Sequence, residues 1–386
     1  MHHTENEFVS QVFKFIKQER GKDMKLAWKE IKQSKSKYLL IESILVLMIF
    51  MVIFLSGLAN GLGWAISASV AKTDAEYFVI STDAEKLISI SNVETEALDQ
   101  VASQTTDKVT GLSIKRSNLN SLTEDKKLDV TYFSIDPESF LSPEVTEGET
   151  IAESSAEHPL ILDDSFKEQK IALGDVLEDS VTGLSLTVVG FTKDEIYGHS
   201  PVGFIGTDSF TALNKEVNSA YIEKYNAIAV QGSDIANINS KGLEVLDKAT
   251  IINNLPGYAA EQLTIKMILW VLVIISAAVL GVFFYVITIQ KQRQFGVLKA
   301  IGTKMSELTR YIMSQVLILS LIGVAIGNLL TVGMASLLPS SMPFFLKVPM
   351  VIIISIVFVL ISLLTSLVSI RKVAKVDPIV IIGGNE

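Results

Sequence analysis

The stretch from Gly296 to Lys304, GVLKAIGTK, combines two glycines with lysine, as phosphate-binding loops do. In such loops backbone N–H groups surround the phosphates and the lysine neutralises their charge, which requires the spacing G-x-x-x-x-G-K-[ST]. Here the spacing of Gly296 and Gly302 is wrong, no Gly-Lys pair occurs, and no buried strand precedes the stretch. We therefore expect no nucleotide-binding site within the chain.

Residues for metal or nucleophilic catalysis are scarce. The chain has four histidines, His2, His3, His158 and His199, and no cysteine. Disulfides and thiolate metal sites are therefore unavailable, and no Ser/His/Asp set stands out. We expect a non-catalytic protein with no resident cofactor, no metal and no nucleic-acid partner.

Apolar runs dominate the chain instead. Hydrophobic residues make up 49% of it, and a helix that crosses a bilayer needs about 20 mainly apolar residues. Four runs are long enough: residues 38–62, 263–289, 311–335 and 348–370. The first run is too long, and too far from the amino terminus, for a cleaved signal peptide. The sequence therefore predicts one span, a large block of residues 63–262, and three further spans.

The distribution of charge predicts the orientation, because short cytosolic segments carry an excess of lysine and arginine. Residues 1–37 hold nine Lys or Arg, residues 290–310 hold five, and the tail 371–386 holds three. Residues 63–262 hold 14 basic and 33 acidic side chains. Both termini and residues 290–310 are therefore expected in the cytosol, and residues 63–262 outside the cell membrane.

The first 37 residues are expected to form cytosolic amphipathic helices. In residues 5–20 apolar side chains share one helical face, as in a helix that lies on a membrane surface. From Met24 to Lys37 apolar side chains can lie in the membrane interface while the lysines meet anionic lipid headgroups. Met24 also opens a basic helix that leads into the first span, so both Met1 and Met24 are candidate start sites.

The block of residues 63–262 has the pattern of a mixed α/β domain. Strands are predicted at 77–81, 109–114, 130–135, 159–162, 184–191, 202–205 and 227–231, and helices at 91–104, 163–169, 208–218 and 235–247. The expected fold class is an α-helical membrane protein with four transmembrane helices, arranged one plus three. A mixed α/β extracytoplasmic domain lies between the first and second helices.

Residues 290–310 connect the second and third spans. Gly296 and Gly302 are predicted to bracket a helix of about two turns, with Lys299 near its carboxyl end, where cations are favoured. Its apolar face holds Val297, Leu298 and Ile301. Such a helix can dock into a groove on a partner. The alternative is an interfacial loop that only joins the two spans.

The same stretch resembles the cytosolic loop of the MacB/FtsX-like permeases, a family with this one-plus-three topology. The matching residues are Arg293, Phe295, Gly296, Leu298, Lys299, Ala300, Ile301 and Gly302. Gln294 stands where the family usually has an acidic residue. The tail, KVAKVDPIVIIGG, also fits the family. The resemblance implies a MacB-like fold in which this loop couples the permease to a separate ATP-binding-cassette ATPase.

From Met24 to the end, the chain further resembles the permease subunits of haem-exporting HrtBA-type ABC transporters of Gram-positive bacteria. Matching stretches include FFYVITIQKQRQFGVLKAIGTK and MPFFLKV. This resemblance implies a permease homodimer in the plasma membrane lipid, working with two ATPase copies that bind ATP. Its cargo would be haem, taken from the membrane and expelled outside, which relieves haem toxicity. Two alternatives stay open: a MacB-like exporter of peptides, antibiotics or lipids, and an FtsX-like permease that signals across the membrane.

Haem transport requires an apolar crevice near the outer leaflet with groups that contact the iron or the propionates. With haem as the implied cargo, the candidate contacts are Phe78, Tyr197, His199, Tyr258, Glu261, Met48 and Met51. Each has a structural alternative. His199 could hold a turn, Tyr258 could anchor the interface and Glu261 could cap a helix. Packing is the alternative for Phe78, Met48 and Met51, and Tyr197 belongs to the same possible turn as His199.

Two features of the spans concern helix packing. Glu42 lies about one turn inside the first span, where a carboxylate is costly, and we expect it to have a structural or dimer-interface role. Gly323 and Gly327 form a G-x-x-x-G pattern in the third span, which permits close approach of a second helix.

Overall fold

A computed structural model describes residues 28–33, 35–121, 127–236, 238–239, 241–300, 302–339 and 342–374. The expectations for residues 5–20, for the start site and for the tail beyond residue 374 lie outside these described residues. Ile301 also lies outside them, as do the side chains of Arg293 and Ala300.

Helices and strands alternate along the middle of the chain. In chain order the helices are α1 (Lys35–Lys72), α2 (Glu96–Gln104), α3 (Thr207–Val217), α4 (Lys248–Asn254), α5 (Tyr258–Gln290), α6 (Gln292–Ala300), α7 (Met305–Ala335) and α8 (Val348–Ala374). The strands are β1 (Tyr77–Ser81), β2 (Val93–Glu94), β3 (Lys108–Ser121), β4 (Lys127–Ile135), β5 (Glu147–Gly148), β6 (Pro159–Asp163), β7 (Val176–Asp179), β8 (Ser185–Thr192), β9 (Ile196–Tyr197), β10 (Ser200–Gly206), β11 (Lys224–Tyr225), β12 (Ala227–Gln231) and β13 (Leu243–Asp247). Residues 28–33 are also helical.

The chain divides into two compact units. The helical unit holds the described residues up to Asn60, then Ile265–Pro339, and those from Phe344 onward. The α/β unit holds the described residues from Gly61 to Thr264 together with Met342 and Pro343. Helices α1 and α5 contribute residues to both units.

Four helices of the described residues are long and apolar enough to cross a membrane: α1, α5, α7 and α8. Each of them contains one of the four predicted spans and extends beyond it. Their shared core includes Leu45 and Ile49 of α1, Phe284 of α5 and Phe358 of α8. Other apolar side chains, such as Trp270 at 69% exposure, point away from this core. An apolar outer surface is what a helix needs where its surroundings are lipid.

The α/β unit is built on one large mixed sheet. Its strand order is β13-β1-β12-β3-β4-β10-β6-β8-β5, with β7 and β9 attached to the side of this path. The pairs β4–β10 and β6–β8 are parallel, and the other pairs are antiparallel. Successive side chains of a strand point to opposite faces, and both faces are buried here. Tyr132 belongs to one apolar cluster, and its neighbour Phe133 belongs to the other.

The predicted helix at residues 235–247 is wrong. Gly242 has φ +83° and turns the chain, after which Leu243–Asp247 forms β13 and pairs antiparallel with β1. Asp247 then caps α4, because its carboxylate accepts a hydrogen bond from the amide of Thr250 at 2.6 Å. The residues LEVLD lie within the predicted helix, but pairing with a neighbouring strand decides their structure.

Two other predicted helices are shorter or tighter than expected. The helix expected at 91–104 begins at Glu96, because Val93–Glu94 pairs with β11 as a strand. The helix expected at 163–169 is a 3-10 helix over Asp164–Gln169. It begins where the Asp163 carboxylate accepts a hydrogen bond from the Ser165 amide at 3.0 Å.

Candidate functional site

Helix α6 follows α5 with one residue, Lys291, between them. The helical hydrogen bonds continue through this residue, since Lys291 N donates to Ile287 O at 3.2 Å and Phe295 N donates to Lys291 O at 3.0 Å. Gly296 therefore lies inside the helix, and the expectation that it begins the helix is wrong. Because α6 continues the turns of α5, it needs no glycine at its start.

Gly302 stops the chain from continuing as a helix after α6. Its φ is +101°, a conformation that glycine adopts without steric cost. The amide of Gly302 donates to Lys299 O and the amide of Thr303 donates to Leu298 O, both at 3.0 Å. This pair of bonds is the Schellman motif, which satisfies the last carbonyl groups of a helix. The prediction that Gly302 ends the helix is confirmed.

The side chains of α6 divide into an anchored set and a free set. Phe295 is 6% exposed and packs in the core of the helical unit, and Gly296 is also buried. Val297 and Leu298 are 50% and 40% exposed. The helix is thus held by Phe295 and presents two apolar side chains that its own unit does not cover.

A buried polar cluster surrounds the junction of α5 and α6. We call it the Lys291 cluster; its members are Glu30, Tyr38, Lys291, Tyr311 and Gln315. The Lys291 ammonium lies 2.6 Å from a carboxylate oxygen of Glu30 and donates to Gln315 Oε1 at 2.7 Å. Glu30 also accepts hydrogen bonds from Gln315 Nε2 at 2.6 Å, from Tyr38 at 3.3 Å and from Tyr311.

The Lys291 cluster keeps its carboxylate ionised. Burial acts to raise the pKa of Glu30, but hydrogen bonds from Lys291, Tyr311 and Gln315 outweigh it, so that the pKa lies below its ordinary value. Sequence reasoning missed this cluster. Gln315 could have indicated it. This residue is polar and lies within an apolar span, and polar residues in such spans seldom occur without a polar partner.

The G-x-x-x-G pattern of α7 marks a close helix contact, as expected. A Cβ atom added to Gly327 would lie 2.8 Å from Ile49 Cγ2, and one added to Gly323 would overlap the side chain of Leu45. Helices α1 and α7 therefore pack closely along these glycines. Glu42 lies beside Gly323, and its carboxylate oxygens are buried without a hydrogen-bond partner among the described residues.

In the α/β unit, the loop that holds Tyr197 and His199 is attached to α1. The amide of Gly198 donates to Ile66 O at 3.0 Å, and that of His199 donates to Ala65 O at 2.9 Å. Gly198 and His199 both have positive φ, +56° and +63°. The hydrogen bonds to α1 and this left-handed turn together fix the backbone of His199.

An ion pair makes a second attachment between this loop and α1. Lys72 Nζ, in the last turn of α1, lies 2.5 Å from Glu195 Oε1 and 2.5 Å from the carbonyl oxygen of Lys193. Glu195 is 4% exposed. Burial raises the pKa of this carboxyl group, and Lys72 opposes part of the shift.

Three of the candidate haem contacts lie close together at the start of α5. His199 Nε2 is 3.6 Å from Glu261 Oε1, and the two side chains are 49% and 38% exposed. The second carboxylate oxygen of Glu261 is buried without a hydrogen-bond partner among the described residues. Tyr258, one turn earlier, packs against the apolar core of the α/β unit and beside Gly63.

The other candidates have different surroundings. Phe78 is completely buried in the core of the α/β unit, so it is a packing residue and offers no surface to a ligand. Tyr197 is 8% exposed and contacts the edge of Phe133 at 5.3 Å between ring centroids. In the helical unit Met48 packs against the core, while Met51 is 42% exposed on α1.

His199 also lines a cavity of about 680 Å³ within the α/β unit. This volume lies in the range of small-molecule binding sites. The charged residues of its lining are Asp129, Asp163, Asp164, Glu168, Asp194, Lys127 and Lys193. Acidic side chains thus outnumber basic ones. Among the described residues, no group of three or more His, Cys, Asp or Glu side chains could hold a metal ion.

Known proteins resemble this chain over most of its length. Residues 266–378 match the family described as FtsX-like permease C-terminal. The chain is 31% identical to the putative hemin transport system permease protein HrtB of Staphylococcus epidermidis (strain RP62A), over 94% of this chain and 100% of that protein. It is 28% identical to the protein of that name from Staphylococcus haemolyticus, with the same coverage.

A solved structure also matches part of the chain. It is the periplasmic region of MacB from Actinobacillus actinomycetemcomitans, with 14% identity and a TM-score of 0.34, covering 50% of this chain and 97% of that one. The match to the two staphylococcal proteins over 94% of this chain, together with four membrane-capable helices among the described residues, makes this chain a membrane protein. It belongs to the FtsX-like permease family of ABC transporters, in the group of the putative hemin transport permeases HrtB.

Proposed function

We propose that this chain is the permease subunit of an ATP-driven haem efflux transporter, which takes haem from the membrane and expels it outside the cell. The observation that carries the proposal is the match to putative hemin transport permeases, which extends over 94% of this chain. That match includes the α/β unit as well as the helices. A shared helical bundle alone would support only the wider family.

The energy source in this proposal is a separate ABC-type ATPase, present in two copies beside a permease homodimer. Helix α6 is the proposed docking element. Its free apolar side chains, Val297 and Leu298, suit a groove on a partner, and its anchor, Phe295, ties it to the core of the helical unit. ATP binds to the partner only.

The proposed orientation follows the distribution of charge. With α6 and the termini in the cytosol, the basic segments lie inside and the acidic residues 63–262 lie outside. In this arrangement the transporter lies in the plasma membrane of a Gram-positive bacterium. The staphylococcal source of the related proteins supports that location.

The proposed haem contacts are centred on His199, Glu261 and Tyr258. Imidazole and phenolate groups are known ligands of haem iron, and His199 and Glu261 are partly exposed and adjacent. Tyr197 precedes this loop and packs against Phe133. Met48 and Met51 lie within the first span. Met51 is roughly 15 Å along α1 from Gly61, where the α/β unit begins, at 1.5 Å per residue. We therefore propose these two residues as haem contacts on the path through the bilayer.

Expulsion is proposed to be mechanical. When ATP draws the two ATPases together, α6 moves and displaces α1 and α5. The loop of His199 is hydrogen-bonded to Ala65 and Ile66 of α1, and Glu261 belongs to α5. A relative shift of the two helices would separate His199 from Glu261 and weaken their shared hold on the haem.

One observation favours a second candidate function, the export of cationic amphiphiles such as peptide antibiotics. The cavity beside His199 has five acidic and two basic residues in its lining. Such a surface attracts cations and repels the propionates of haem. A third possibility, an FtsX-like signalling permease, would require a soluble partner outside the cell.

The three functions are distinguished by ATP hydrolysis in the purified permease–ATPase complex, reconstituted in lipid nanodiscs. Our proposal expects haem to stimulate hydrolysis, and expects His199→Ala and Glu261→Gln to weaken that stimulation. Stimulation by a cationic peptide but not by haem would support the second function. No response to either compound would contradict both transport functions.

A further inference from the structure

The Lys291 cluster joins separate stretches of the helical unit. Lys291 comes from the junction of α5 and α6, and Tyr38 comes from the start of α1. Tyr311 and Gln315 are both residues of α7, whereas Glu30 belongs to the helical residues before α1. The buried Lys291 side chain therefore contacts Glu30 and Gln315 through polar bonds, and Tyr38 and Tyr311 through their rings.

The contacts of the cluster favour a role in fixing the position of Lys291 over a role in the stability of the fold. A buried ion pair adds little net stability compared with apolar residues of the same size. The Glu30–Lys291 pair has excellent geometry, with Lys291 8% exposed and Gln315 bonded to both charges. The rings of Tyr38 and Tyr311 have their centroids 5.7 Å and 5.6 Å from Nζ, within the range of cation–π attraction. Directional contacts of this kind fix the position of Lys291 more tightly than apolar packing does.

Lys291 also belongs to the backbone that connects α5 to α6. The carbonyl of Lys291 accepts the amide of Phe295, so the residue forms the first turn of the helix that becomes α6. A rotation of α6 must displace the Lys291 ammonium or break its bonds to Glu30 and Gln315. Movement of α6 therefore reaches α1 and α7 through the cluster, in addition to α5 through the backbone.

We propose that Glu30 and Lys291 are positioning residues that fix α6 relative to α1 and α7, and so carry its movement to those two spans. This inference rests on the proposed function, because it takes α6 as the element that an ATPase moves. It adds to that function a polar route to α1, the helix on which the loop of His199 is held.

The first test compares transport with hydrolysis in the reconstituted permease–ATPase complex. Lys291→Met should lower haem transport about tenfold, the upper part of the range for mutations in a coupling network, while ATP hydrolysis persists. Lys291→Arg, and the exchange of Glu30→Lys with Lys291→Glu, should recover transport. Lys32→Met, on an exposed lysine of the same segment as Glu30, should behave as the parent. Equal transport by Lys291→Met and the parent would overturn the inference.

The second test measures geometry and needs no haem. The chain contains no cysteine, so Lys29→Cys and Gln294→Cys can be spin-labelled in the full permease without background. Pulsed electron paramagnetic resonance should give a narrow distance distribution in the parent and in Lys291→Arg, and a broad one in Lys291→Met. If Lys291→Met does not fold, Glu30→Gln provides the same comparison.

The two tests separate the inference from the function on which it rests. A narrow distribution in both charge-removing variants overturns the positioning role, whatever the cargo is. A broad distribution, together with no response of the parent complex to haem, contradicts the haem proposal and leaves the positioning role supported.

Discussion

The amide of His199 donates a hydrogen bond of 2.9 Å to the carbonyl oxygen of Ala65, so the candidate haem ligand is attached to the backbone of α1. The imidazole lies 3.6 Å from Glu261, at the start of α5. The pair thus joins the two helices whose movement is proposed to release the cargo.

Removing this pair should weaken haem binding. We expect His199→Ala or Glu261→Gln to lower haem affinity about tenfold to a hundredfold, the range seen when metal-site partners are removed. The measurement is a spectral haem titration of the purified permease. His158→Ala, on another histidine of the α/β unit, is the matched control and should bind as the parent does. Unchanged titrations of both pair variants would exclude this part of the site.

Charging the free face of α6 should uncouple the permease from its ATPase. Val297 is 50% exposed, so an aspartate there leaves the fold intact but places an unpaired charge in an apolar contact. Such burial costs several kcal/mol, roughly 3 or more. Val297→Asp should therefore lose the ATPase on affinity co-purification. Val181→Asp, on a valine of the α/β unit that is 65% exposed, should retain it.

The carboxyl end of α6 should depend on glycine at residue 302. At φ +101° an alanine is strained, and Gly302→Ala should cost about 1 kcal/mol or more of local stability. Hydrogen exchange of the α6 amides measures this loss directly. Gly333→Ala is the control, because an added Cβ meets no atom within 4 Å there and the residue is helical. If the two variants exchange alike, the Schellman assignment is wrong.

Alkaline pH should destabilise the α/β unit through Tyr197. Burial raises the pKa of this phenol from 10.0 to about 12, so between these values the unfolded chain loses a proton that the native chain keeps. Stability from this group is complete below pH 10 and falls by roughly 1.4 kcal/mol per pH unit as the pH rises toward 12. Denaturant titrations of Tyr197→Phe should show a shallower decline than the parent. Parallel declines would contradict the burial of this hydroxyl.

Much of the fold was predictable because its signals are local. Each span is a stretch of about 20 mainly apolar residues, and strands such as Tyr77–Ser81 and Ala227–Gln231 are found where their sequence patterns place them. Gly302 also ends α6 as expected, since only a residue tolerant of positive φ suits that position. Gly296 lies inside α6, where no positive φ is needed, and the prediction that it begins the helix is wrong.

The site was less predictable because it depends on distant partners. Glu30 and Lys291 are separated by most of the chain, and no pattern near either residue indicates the other. Phe78 was a candidate ligand because it follows the first span, but the sheet places it in the core. In contrast, His199 and Glu261 were both candidates because they lie near the junctions of the spans with the external domain, and their side chains are 3.6 Å apart.

The most direct test of the whole account is ATP-dependent removal of haem from a membrane. Liposomes that carry haem in their bilayer and ATP in their lumen, with the ATPase on the lumenal side of the complex, would be mixed with a haem-binding acceptor in the outer solution, and transfer would be followed by absorbance. We predict transfer that requires ATP, occurs in the parent and disappears in Val297→Asp. Transfer at the same rate without ATP, or no transfer from a complex that hydrolyses ATP, would contradict the account.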